Sequence, residues 1–97
     1  MTVYPNIEEL SPRQLVAYFM TSSYLYYKKD KAVLSDVDYD RLCKRLLECW
    51  KEAKHPHKRR IKMNDLEAGT GFAIKNYPNR VIGAAEVWYE EWKKEND

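Results

Sequence analysis

Three stretches of this chain carry bulky or small core-type side chains three and four residues apart, and each opens on residues that start helices. Leu15, Tyr18, Phe19, Ser22, Leu25 and Tyr26 make the first stripe. Tyr39, Leu42, Cys43, Leu46, Trp50 and Ala53 make the second, and Val81, Ile82, Ala85, Trp88, Tyr89 and Trp92 the third. That period belongs to a helix face; on a strand, alternate residues would share a side. The chain is therefore expected to be all-α. Ser11-Pro12 opens the first helix, because serine caps well and proline's missing N–H has no partner in a first turn anyway. The spacing predicts a helix from Pro12 to about Lys28. Ser35 opens the second, with Asp38 positioned to reach back as an acidic capping box and Asp36 and Asp38 favoured by the helix dipole. This helix is expected to run to about Lys54 and to stop before Pro56. Pro78 opens the third.

Residues 29–34 have no period and read as a loop. Two helices joined so briefly lie side by side as an antiparallel hairpin. The C-terminal stripe, with Trp88 and Trp92, is expected to pack across that hairpin and complete one small domain over 1–97. Met1 to Glu8 read as a lead-in. Asn64 or Asp65 is a candidate cap for a short turn through Glu67, and Gly69-Thr70-Gly71 marks a reversal. Phe72 to Lys75 carry too little signal to assign.

Composition removes several function classes. With 44% hydrophobic and 33% charged residues the chain has the balance of a folded domain, not of a disordered one. No apolar run approaches the roughly 18 residues of a membrane span, so no membrane association is expected. A net charge of +2 is too small for indiscriminate binding to phosphate backbones. Two cysteines in 97 residues suit a reducing cytoplasm. They stand six apart, at Cys43 and Cys49, on different helix faces, so they do not chelate together. His55 and His57 add two imidazoles, short of the three or four ligands that a zinc site takes, and no metal is expected. Gly69-Thr70-Gly71 lacks the lysine and length of a phosphate-cradling loop.

Charge is uneven along the chain. Residues 51–62 hold six Lys/Arg and one Glu, and residues 86–97 hold five acids and two lysines. Lys54, Lys58, Arg59, Arg60 and Lys62 are thus candidate phosphate contacts for a nucleic acid. A solvated loop accounts for the same run, as does pairing with the acidic C-terminal stretch.

The sequence from Tyr24 to Trp50, YLYYKKDKAVLSDVDYDRLCKRLLECW, resembles the helical N-terminal domain of NAD-dependent DNA ligases. The matching residues are Tyr24, Tyr26, Asp30, Leu34, Asp36, Tyr39, Asp40 and Leu42, with no gap from Tyr26 to Asp40. In those ligases the domain grips the nicotinamide mononucleotide (NMN) half of NAD, and a larger domain carries out adenylation. The resemblance implies that Tyr26 and Tyr39 are aromatic contacts to the nicotinamide or ribose. It implies that Asp36 and Asp40 are carboxylates toward the ribose hydroxyls and the cationic ring. Tyr27 stands where many ligases have a histidine, and Ala32 near where they have a proline. The chemistry has its own logic, since a flat pyridinium cation favours an aromatic face and nearby carboxylates. Asp36 and Asp40, four apart, share a helix face. Acids at a helix start and tyrosines at a helix contact also serve folding alone.

The ligase adenylation motif Lys-x-Asp-Gly is absent, and no Asp is followed by Gly. No enzymatic activity is expected. Three roles follow: a small non-catalytic binding or adaptor protein with a protein partner; a nucleotide-binding module for NMN or NAD using Tyr26, Tyr27, Asp36, Tyr39 and Asp40; or a nucleic-acid accessory protein using the basic run. Freestanding copies of such a module resemble phage-type accessory proteins, which implies action on a host protein in the host cytoplasm.

Overall fold

Helix α1, Pro12–Lys29, begins where a serine oxygen satisfies backbone N–H groups that a first turn leaves open. Ser11 Oγ accepts from the Gln14 N–H at 3.2 Å, and Gln14 Oε1 accepts from the Ser11 N–H at 2.9 Å, a complete capping box. The helix ends at Asp30, which takes the left-handed conformation (φ 56°) tolerated by aspartate better than by most residues. The structure, a computed structural model, describes residues 3–55, 58–69, 74 and 77–96. Within them, α1 is followed by α2 (Asp36–Glu48), α3 (Met63–Ala68) and α4 (Asn79–Asn96), with single 3₁₀ turns at Ile7–Glu9 and Lys58–Arg60. The protein is all-helical, and among the described residues no helix is long and apolar enough to cross a membrane.

α1 is the central element. Leu15, Val16 and every residue from Tyr18 to Leu25 are buried, a far broader face than the expected stripe. The polar run Thr21-Ser22-Ser23 goes inside because its hydroxyls are satisfied. Thr21 and Ser22 donate to the carbonyls of Ala17 and Tyr18 at 2.8 and 2.7 Å, and Ser23 Oγ pairs with the Tyr39 hydroxyl at 2.7 Å. α1 packs against both α2 and α4. The start of α2 meets the end of α1, while Arg13 near the start of α1 donates to the Lys54 carbonyl beyond the end of α2. The pair is therefore an antiparallel hairpin.

Four expectations are corrected. α2 stops at Glu48, six residues before Lys54. The chain turns at Cys49–Glu52, burying Ala53 and then Ile61, and Pro56 forbids a helix that continues through it. The capping box at Ser35 is only half formed: its Oγ accepts from the Asp38 N–H, while Asp38 faces Arg41 at 3.9 Å. α3 begins at Met63 behind Lys62, so neither Asn64 nor Asp65 is its cap, and the burial of Ile61 and Leu66 fixes it against α2. α4 packs on the hairpin, chiefly through α1, but only one of its two stripe tryptophans is fully buried: Trp88 lies edge-on to Tyr18 at 5.2 Å, whereas Trp92 is half-buried. Of the expected reversal, Gly69 is described, at φ 68°, while Thr70 and Gly71 lie outside the described residues, as do Pro56, His57, Phe72 and Lys75.

The lead-in is part of the fold. Ile7 is buried, and Glu8 pairs with Arg41 at 2.8 Å and lies 3.7 Å from Arg45. The Trp88 indole N–H donates to the Val3 carbonyl at 3.0 Å, and Asn96 donates to the Tyr4 hydroxyl at 2.6 Å.

Candidate functional site

The end of α1 and the beginning of α2 leave a pocket of ≈ 280 Å³ between them. Its walls carry Tyr26 and Tyr27 from α1, Ala32, Val33 and Leu34 from the loop, and Asp36, Tyr39 and Asp40 from α2. The α2 trio is an i, i+3, i+4 set, which turns all three toward one side. Tyr26, 49% exposed, stands edge-on to Tyr27 with ring centroids 4.8 Å apart. All five residues singled out as ligand contacts thus meet in one place.

Their roles differ in kind. Tyr39 stacks on Phe19 (5.8 Å, 29°) and its hydroxyl is engaged by Ser23, so it offers the pocket a ring and not a free donor. Burial pushes its phenol well above the ordinary tyrosine range, opposed in part by the Ser23 hydrogen bond. Asp40 Oδ2 is bound by exposed Lys44 at 2.8 Å, while Oδ1 faces Gly69. Asp36, at the N-terminus of α2, is exposed. The Tyr77 ring meets Tyr24 edge-on at 5.3 Å; the Tyr77 hydroxyl is buried without a hydrogen-bond partner among the described residues, and its phenol is pushed up by burial and then by Tyr27. Cys43, one turn beyond Tyr39, is pushed up to about 12, first by burial and then by Asp40.

The other six lining residues were not foreseen as contacts, and three of them, Ala32, Val33 and Leu34, come from the connecting loop. Ser22 is polar at a stripe position, and its hydroxyl donates back into α1. Ala68 and Gly69 close the pocket from α3, almost thirty positions along the chain from Asp40, a distance over which no local pattern signals contact.

The basic run is divided between exposed and half-buried side chains. Lys54 is exposed, and Arg59 and Lys62 are exposed on either side of half-buried Arg60. Lys58 turns inward: its Nζ donates to the Trp50 carbonyl and sits 4.7 Å from the Trp50 ring centroid. Among the described residues no three of His, Cys, Asp and Glu gather where they could hold a metal ion.

A family model described as the DNA ligase-like, N-terminal NAD+-binding domain matches residues 6–61. That segment holds all of α1 and α2 and stops before α3. Comparison with curated proteins and with solved structures finds no match.

Proposed function

The chain belongs to the family of DNA ligase-like, N-terminal NAD+-binding domains, and from this we propose that its Tyr/Asp pocket binds the NMN half of NAD+ as a non-catalytic module. The observation that carries the reading is the meeting of Tyr26, Tyr27, Asp36, Tyr39 and Asp40 around one pocket. The donor set suits the ligand. A pyridinium ring is a flat cation, attracted to the negative faces of tyrosine rings and to carboxylates. Ribose hydroxyls donate, and the carboxylates of Asp36 and Asp40 accept. At ≈ 280 Å³ the pocket lies at the small end of ligand sites, which start near 300 Å³, and suits half a dinucleotide better than a whole one. The adenylate half then extends into solvent or toward a partner protein.

Titration calorimetry with NMN and with NAD+ tests the proposal. Binding of both with similar affinity, lost in Asp36→Ala and Asp40→Ala, is the expected result. No heat at millimolar ligand overturns it. Incubation of NAD+ with the protein and nicked DNA should leave the dinucleotide intact; consumption would overturn the non-catalytic part.

A further inference from the structure

The matched family segment ends at residue 61, yet the pocket does not. Its remaining wall is the last turn of α3, through Ala68 and Gly69. α3 is held there by Leu66, which is 2% exposed, in a helix packed on α2. Gly69 caps α3 at φ 68°, and its N–H reaches the carbonyls of Asp65 and Leu66. A left-handed residue at that point turns the chain sharply, and it brings Gly69 against the Asp40 carboxylate. A Cβ on Gly69 would stand 3.7 Å from Asp40 Oδ1, ordinary van der Waals contact. The α3 wall and the carboxylate wall therefore meet at Gly69, and the side chain just before that junction is the methyl of Ala68. Ala68 is exposed and is the final residue of its helix, so little of the fold depends on its size.

We propose that Ala68 is a specificity-determining residue of the pocket: its methyl group sets the largest ring and ribose that fit between α3 and the Asp36–Asp40 face. The inference rests on the NMN reading and adds to it a residue from outside the family segment. Larger side chains at position 68 occupy ligand volume. Because α3 is anchored by Leu66, they do not relieve the clash by moving the helix.

The test is a size series, Ala68→Ser, Ala68→Leu and Ala68→Trp, in the full chain. Each variant is titrated with NMN beside the wild type and melted thermally. Ala68→Ser should bind as the wild type does, Ala68→Leu more weakly, and Ala68→Trp about tenfold or more weakly, with melting midpoints unchanged. Leucine is a strong helix former, so Ala68→Leu keeps the series readable should tryptophan perturb the helix end. Wild-type binding with equal affinity across the series overturns this inference and leaves the NMN reading standing. Absence of binding by the wild type overturns both.

Discussion

At the scale of single residues, the pocket divides between side chains that hold the hairpin together and side chains that face outward. Tyr39 belongs mainly to the first group. Its hydroxyl pairs with Ser23, which is 0% exposed, so Tyr39→Phe leaves a buried hydroxyl without its partner. A loss of about 1–2 kcal/mol is expected in urea melts. Tyr26, half-exposed at the rim, is in the second group: Tyr26→Ala should weaken NMN binding while leaving stability almost unchanged. The same burial has a consequence for pH. Tyr39 and Tyr77 keep their protons in the native state above the range in which an unfolded phenol, ordinary value 10.0, loses its own. Cys43 does so from 9.0 to about 12. Above those ordinary values the native state binds more protons than the unfolded one. Stability is thus fully present below about pH 9 and falls as pH rises, by up to about 1.4 kcal/mol per pH unit for each group. Urea midpoints measured between about pH 8 and 11 should decline, and the decline should be shallower in Tyr77→Phe, which removes a hydroxyl without a hydrogen-bond partner among the described residues.

At the scale of elements, helix starts were legible and helix faces were less so. Ser11-Pro12 and Ser35 mark the true beginnings of α1 and α2, because caps are local chemistry. The inward turn of Thr21 and Ser23 could not be read in the same way. A short hydroxyl counts as polar in a stripe, but within a helix it bonds the carbonyl one turn back and can be buried at little cost. The end of α2 was hidden for a different reason. Trp50 and Ala53 keep the helical spacing, although they reach the core through turns in which Lys58 takes the Trp50 carbonyl. That contact makes Lys58 a structural cation. Lys58→Ala should lower the thermal midpoint, whereas Arg59→Ala, at an exposed position, should not. The reverse ordering would mean that the Trp50 contact does not hold the turn. α4 makes a matching contrast: Trp88→Ala removes a fully buried indole and should cost about 3–5 kcal/mol, while Trp92→Ala, at a half-buried ring stacked on Tyr89, should cost markedly less.

At the scale of the whole molecule, the motif-bearing wall of the pocket was readable because its five residues lie within 26–40, on two helix ends joined by one short loop. The α3 wall and the docking of residues 3–8 depend on contacts between distant parts of the chain, which periodicity does not record. Those contacts set a hierarchy of local stability. α1 packs against both α2 and α4 and is buried from Tyr18 to Leu25, so exposing its amide groups requires the core to open. The half of α4 beyond Trp88 has two partly buried rings, Tyr89 and Trp92, no fully buried side chain among its described residues, and a tether at its tip in the exposed Asn96–Tyr4 hydrogen bond. Opening there leaves the hairpin intact. Amide hydrogen exchange should therefore be slowest for α1 between Leu15 and Leu25, at the limit set by global unfolding, and fastest among the helices toward the end of α4. Replacing Trp88 by Phe keeps a buried ring but removes the N–H that holds the Val3 carbonyl. Exchange should then accelerate in α4 and in residues 3–8 together, with α1 following only by the change in global stability. Uniform acceleration along the whole chain would mean that the N-terminal segment and α4 are not a separable unit, and that the fold opens in a single step.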